Sequence, residues 1–407
     1  MDPRPDALPI ERARTRLLPE VFTTFLMLGL TSFGGPIAHL GYFRREFVER
    51  RKWLGEGQYA QLLALCQFLP GPASSQLGFS LGLLRAGWAG AIAAFLAFTL
   101  PSALLLFVFA LLMPQFSGAT GNAAIHGLKL VALAVVAQAV LGMAWQLCPD
   151  VVRATIATFT ALAILASGQA WTQLLVVALG AVAGLAFCRS AAPITAGGLQ
   201  PPYGPTLGWA LLMAFALLLI GLPVASHGPD GLLAVAEAFY RAGALVFGGG
   251  HVVLPLLEES VVKPGWISAD EFLAGYGAAQ AVPGPMFSLA AYLGARLPGD
   301  EGGFVGAFLA LISIFLPGFL LVAGVLPLWQ TILNRPAAAR AIAGINAAVV
   351  GILGAALYDP IWRSAVNGPV DVAIAAVGFA LLAAWQANAL VVVALCVVAS
   401  IAVVTLL

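Results

Sequence analysis

The chain has 407 residues, 61% of them hydrophobic and 9% charged, with a formal net charge of +1 at neutral pH. A mean hydropathy of +0.97 excludes a soluble domain, and the near-zero net charge gives no reason to expect a nucleic-acid partner. The apolar runs lack the alternation of barrel strands, and backbone groups in lipid must then be satisfied within helices, so the expected fold is all-α, a polytopic membrane protein with about 13 hydrophobic segments.

Residues 1–19 carry Arg4, Arg12, Arg14 and Arg16 among four prolines, and the apolar run after them has no small-residue cleavage site, which reads as a retained cytoplasmic tail. A first unit, 20–190, opens on the glycine break Phe33-Gly34-Gly35-Pro36 and a basic cluster from Arg44 to Lys52. From Tyr59 to Leu84 the chain is mostly apolar for 26 residues, about 39 Å as one helix and longer than a hydrocarbon core. Pro70-Gly71-Pro72 interrupts it. Two prolines in three residues remove two backbone donors and push the glycine out of the α region. Two arms of roughly 11 residues remain, about 16 Å each, which reach only mid-bilayer and fit a re-entrant hairpin better than a crossing. Apolar runs near 88–112 and 123–147 follow. A Pro/Gly-rich loop and one apolar run at 207–226 make a linker, 191–232, before a second unit, 233–407. That unit carries Phe247-Gly248-Gly249-Gly250-His251, then Pro283-Gly284-Pro285, then apolar runs near 302–326, 340–358 and 387–407.

The two units are a duplication at an offset of 212 to 217 residues. Phe25 and Gly29 recur as Phe239 and Gly243, and Glu46 as Glu259. Gln67 with Pro70-Gly71-Pro72 recurs as Gln280 with Pro283-Gly284-Pro285. Gly82, Gly87, Gly90, Pro101 and Gly127 recur as Gly294, Gly303, Gly306, Pro317 and Gly344. The run at 207–226 has no counterpart, and one extra crossing between units of even crossing number inverts the second, so inverted repeats are expected. Basic residues agree if the four broken segments re-enter: fourteen Lys or Arg then fall inside, and only Lys263, Arg296 and Arg363 outside.

A half-helix that starts within the bilayer offers unsatisfied N–H groups and a positive dipole end to an anion. Candidate substrate contacts are therefore Pro70, Gly71, Pro72, Ser74, Ser75, Pro283, Gly284, Pro285 and Ser288, the glutamines Gln67 and Gln280, and the glycines Gly34, Gly35, Gly248 and Gly249. Lys129, with His126 one turn earlier and no ionic partner on its own helix, is a further anion contact, although its match is Asn346. His39, His251 and Glu237 are candidates for proton coupling; Glu237 also stands four residues before Arg241, the spacing of a neutralising pair. The matched Glu46 and Glu259 are alternative carriers, although Glu46 is expected to be solvated in its charged loop. Cys66, Cys148, Cys188 and Cys396 lack metal or redox spacing and read as core residues. With no Walker loop, nucleophile elbow or metal-spaced cluster, neither enzyme activity nor a metal or cofactor is expected.

Ser32-Phe33-Gly34-Gly35-Pro36, the stretch from Arg45 through Trp53 to Tyr59, Gln67-Phe68-Leu69-Pro70-Gly71-Pro72 and the matching second-unit motifs resemble the chromate ion transporter family in its long, two-domain form. The resemblance implies proton-motive export of chromate from the bacterial cytoplasm across the inner membrane, with sulfate as competitor and chromate resistance as outcome. Expected partners are a chromate- or sulfate-like oxyanion, protons, the lipid bilayer and, optionally, a second copy in a homodimer. Two other functions fit the residues: a sulfate importer or anion channel, and a membrane scaffold or sensor that transports nothing. The second unit departs from the first at Pro36, replaced by Gly250, and at His39, replaced by Val253.

Overall fold

A computed structural model of the chain describes residues 10–33, 35–115, 118–167, 170–188, 199, 201–226, 231–247, 252–329 and 336–406. Gly34, Gly248, Gly249 and His251, named above, lie outside the described residues. The described chain is all-helical. Among the described residues, five helices are long and apolar enough to cross a membrane, and six shorter apolar helices accompany them. By length and composition, then, not every expected segment is a full span among the described residues.

Helix α1 (Ile10–Thr31) stops at the glycine break, and α2 (Gly35–Arg44), extended by a wide turn over Arg45–Arg50, runs back along it. Phe25 stacks on Phe47 at 5.0 Å and meets Phe43 edge-on at 5.7 Å. The next pair reverses in the same way. α3 (Glu56–Phe68) and the first arm of α4 (Ala73–Leu112) meet at Pro70-Gly71-Pro72. The open ends of both hairpins share one polar cluster. Glu20 accepts hydrogen bonds from Arg51 at 3.3 Å, Arg85 at 3.2 Å and Trp53 at 3.2 Å. Glu46 accepts from Arg51 at 2.6 Å and is only 6% exposed, so the expectation that it is solvated is corrected: the returning α2 carries it under the arginines.

At Ala86 and Gly87 helix α4 leaves helical geometry, with Gly87 at φ +70°, and its long arm turns back on the first. Gly82 then faces Gly90 so closely that a Cβ on either would overlap the other's backbone. The second unit makes the equivalent contact between Gly294 and Gly306. Small residues allow such approach where apolar burial gives no drive, since lipid is as apolar as the helix face.

Helices α5 (Ala119–Leu147), α6 (Val151–Ser167) and α7 (Ala170–Phe187) complete the first unit, and α8 (Pro205–Ala225) joins it to the second. In the second unit α9 (Leu232–Ala244) and α10 (Val253–Leu257) flank the glycine motif, and α11 (Ala269–Ala281) and α12 (Leu289–Ala295) flank Pro283-Gly284-Pro285. Arg296 pairs with Glu271 at 2.5 Å, and the Tyr292 hydroxyl donates to the Glu271 carbonyl at 3.1 Å, which closes the α11–α12 hairpin at its open end. α13 (Gly303–Val325), α14 (Pro336–Ala356), α15 (Pro369–Ala383) and α16 (Ala389–Leu406) follow.

The long arm of α4 and its repeat counterpart α13 pack antiparallel. Phe95 touches Phe319 at 4.9 Å, and Phe107 touches Phe304 at 6.1 Å. Around this pair the units exchange helices: α5 packs on α15 and α16, whereas α14 packs on α6 and α7. Gly127 lies against Cys396 and Val397, and its match Gly344 against Gly180 and Gly184. Cys66, Cys188 and Cys396 are buried and Cys148 half-buried, all as free thiols, in keeping with core roles.

Candidate functional site

The two Pro-Gly-Pro tips bind the opposite units reciprocally. Prolines have no N–H, so each tip's one donor is its glycine. The Gly71 N–H donates to the Val246 carbonyl at 2.7 Å, and the Gly284 N–H donates to the Ser32 carbonyl at 2.9 Å. Ser32 and Val246 occupy equivalent places at the ends of the two glycine-broken helices. Gly71 has φ +125° and Gly284 φ +103°, conformations that side-chain-bearing residues rarely adopt. Each tip also rests on the proline-bearing helix of the other unit. A Cβ on Gly71 would come within 3.0 Å of Gly318 Cα, next to Pro317, and one on Gly284 within 2.9 Å of Ser102 Oγ, next to Pro101.

Behind the first tip α4 begins at Ala73 with Pro72 as its cap. The Gln76 N–H makes the first turn's bond, to the Pro72 carbonyl at 2.8 Å, which leaves the N–H groups of Ala73, Ser74 and Ser75 without an intrahelical acceptor. The Gln76 amide bridges the units, donating to the carbonyls of Pro70 at 2.9 Å and Gly318 at 3.0 Å. Behind the second tip the chain forms a 3₁₀ turn, Met286–Ser288, and the Ser288 hydroxyl donates to the Pro285 carbonyl at 2.5 Å. Its hydroxyl is thus already satisfied, and α12 is only 7 residues long.

The structure brings Pro70, Gly71, Pro72, Ser74, Ser75, Pro283, Gly284, Pro285 and Gln280 to the tips or the first turns behind them. Gly35 begins α2 at the adjacent break. The matched glutamines differ: Gln280 is 8% exposed with no partner for its Nε2, whereas Gln67 lies on the exposed side of α3. His39 is fully buried, its Nε2 3.1 Å from the Ser32 carbonyl and its ring edge-on to Phe98 at 5.3 Å. Lys129 is not the unpaired charge its own helix suggests. Asp270, at the start of α11, accepts from its Nζ at 2.6 Å, a partner 141 residues away. Glu237 and Arg241 form the anticipated helix pair at 2.8 Å on α9, and His126 contacts Asp371 at 2.8 Å.

Phe98, Thr99, Ser102, Val246 and Gly318 also form the site and were not singled out from the sequence, and Ser32, which joins them, was noted only as the first residue of a motif. The matched prolines Pro101 and Pro317 were the available signal, since Ser102 and Gly318 directly follow them. Where the tips dock, donors are hydroxyls, amides and backbone N–H groups, and the ion pairs of Glu20, Glu46 and Glu271 lie at the open ends of the hairpins instead. Neutral donors with helix N-terminal dipoles suit an anion that must be bound and released. An open groove of about 580 Å³ lined by Trp145, Cys148, Thr158 and Val350 shares no residue with the tips.

Residues 19–185 and 233–401 each match the family model described as Chromate transporter. A chromate transport protein of Pseudomonas aeruginosa is 29% identical over 90% of this chain and 88% of its own length. A probable chromate transport protein of Synechococcus elongatus is 30% identical over 82% of both. A chromate transport protein of Cupriavidus metallidurans is 27% identical, covering 88% of this chain and 86% of its own. No solved structure matches.

Proposed function

Because the chain belongs to the chromate transporter family, we propose that it exports chromate, or a similar tetrahedral oxyanion, across the bacterial inner membrane at the expense of the proton-motive force. The family's members are multi-pass transporters, not enzymes, and chromate transport is the activity the relatives' names carry. The observation that carries the reading is the reciprocal docking of the tips, Gly71 on Val246 and Gly284 on Ser32. Substrate sites where broken half-helices of two repeats meet are a recurrent transporter design. We place the oxyanion there, among Gly71, Ser74, Ser75, Gln280 and Gly284, and divide the chain into a first repeat at 20–190, a linker at 191–232 and a second repeat at 233–407.

Inversion of the repeats is supported by the antiparallel course of α4 and α13. The hairpin ends support it as well: Trp88, just past the first hairpin, stacks on Tyr203, whose hydroxyl donates to Ala323 near the end of α13. Tyr292, at the open end of the second hairpin, stacks on Phe109 near the far end of α4. With the two open ends read as lying on opposite faces, the Lys and Arg asymmetry supports a cytoplasmic α1–α4 end. Export then follows from rocking one repeat against the other, which breaks and remakes the tip hydrogen bonds.

His39 is the proton carrier in this scheme. Its Nε2–H faces the Ser32 carbonyl, leaving Nδ1, which has no partner, to take the proton beside the anion site. Labelled-chromate uptake by everted vesicles tests the proposal: uptake should need an imposed proton gradient, and equal uptake without one rejects the coupling. Uptake only into right-side-out vesicles would favour an importer, and gradient-independent anion currents a channel. A scaffold would leave cellular chromate unchanged when Gly71 is replaced.

A further inference from the structure

The two tip junctions are equivalent in backbone but unequal in chemistry. Gly284 is held by Ser32 and lies against Ser102 and Phe98. The Ser102 hydroxyl donates to the Thr99 carbonyl at 2.9 Å, and His39 packs on Phe98. Ser75 shares a face of α4 with Gly78, one turn nearer the tip, and Gly78 packs against Phe25 and Phe43. Phe43 in turn sits one turn beyond His39 on α2. Ser32, Ser75 and Thr99 are 2%, 4% and 2% exposed, and none of their hydroxyls has a partner among the described residues. The Gln280 Nε2 on the approaching hairpin is also unpaired. A buried polar group left unpaired costs roughly 1–3 kcal/mol, so this cluster is poised to hydrogen-bond a polar guest.

At the other junction the counterparts of Ser32, His39, Thr99 and Ser102 are Val246, Val253, Phe315 and Gly318. The counterpart of Ser75 is Ser288, whose hydroxyl is spent on Pro285. The counterpart of Gln280 is the exposed Gln67. Buried hydroxyls without partners and a buried, unpaired glutamine amide thus accompany one junction and not the other.

We propose that each chain binds one tetrahedral oxyanion, off the repeat axis, in a chamber of the first repeat. Ser32, Ser75 and Thr99 are its hydroxyl donors, with the first-turn N–H groups of α4, and the Gln280 amide reaches in from the second repeat as its lid. This rests on the oxyanion reading above and deepens it: duplication built two hairpin junctions, and side-chain divergence left one as a binding site and the other as an apolar bearing surface.

Calorimetric titration of the purified full-length protein with chromate, and separately with sulfate, tests it. One anion per chain is expected. Thr99→Val, which keeps the side chain's shape, and Ser75→Ala should each weaken binding about tenfold or more, the loss expected for a hydrogen bond to a charged group. Thr99→Ser should restore affinity, and Val253→Thr at the other junction should leave it within about twofold of wild type on the same scale. Two anions per chain, or wild-type affinity in Thr99→Val, overturns the one-sided chamber while leaving the oxyanion reading standing. A wild-type chain that binds neither anion overturns both. The stoichiometry requires no substitution, so it decides even if a variant fails to fold.

Discussion

Replacing Gly284 by alanine probes whether the tips must approach as closely as they do. The backbone there has φ +103°, outside the basins open to a side-chain-bearing residue, and holding alanine in such a region costs of order 1–3 kcal/mol. The new Cβ would also stand 2.9 Å from Ser102 Oγ and 3.2 Å from the Phe98 carbonyl. The hydroxyl can rotate away, but the carbonyl belongs to α4 and cannot. If the tip withdraws to relieve the contact, the 2.9 Å bond from Gly284 to Ser32 is lost, about another 0.5–1.5 kcal/mol. Together these give about 1.5–4.5 kcal/mol, or roughly a 10- to 2000-fold loss of the docked tip. Thermal unfolding in detergent and chromate uptake by vesicles read the effect. Adding Ser102→Ala should recover only the part due to the hydroxyl contact, because the backbone cost remains. A Gly284→Ala protein that melts and transports like wild type would refute the claim that the tip geometry requires glycine.

Gly243→Ala should destabilise by about 1–3 kcal/mol, because its Cβ would overlap the Ile314 carbonyl on α13. Gly142, also helical but with nothing within 4 Å of an added Cβ, is the control and should be neutral or up to about 1 kcal/mol more stable as alanine; equal melting temperatures for the two would contradict the packing. Glu46→Gln leaves Arg51 with Glu20 alone and should cost about 1–3 kcal/mol, seen as a lower melting temperature. Lys129→Ala should cost about 0–1 kcal/mol, since its partner Asp270 is 66% exposed; a collapse of transport with unchanged stability would instead give Lys129 a direct role with the anion. Single cysteines at Arg45 and Asp300, both exposed, should be labelled by an impermeant reagent from opposite faces of the membrane, and labelling from the same face would sink the inverted arrangement.

Much was legible from residues alone because it depends on short-range covalent and solvation physics. Hydropathy excludes water as the main solvent wherever the chain folds, and Pro70-Gly71-Pro72 breaks a helix in any tertiary context. The recurrence of that triplet with Gly29, Gly82 and Gly127 revealed two repeats, and at those glycines the helices do approach closely. Pairings over long separations could not be read. Lys129 looked unpaired because its partner lies on another repeat, and Glu46 looked solvated because nothing local shows α2 folding back under the arginines. Matched glutamines suggested matched roles, yet Gln280 is buried and Gln67 exposed, since burial depends on what packs against each hairpin. The tip contacts themselves run from a glycine N–H to a backbone carbonyl more than 170 residues away. The positive φ at the tip constrains the donor to be glycine, while the bond leaves no side-chain signature on the acceptor. Sequence thus determined where the helices break, and only the tertiary structure decided what each break meets.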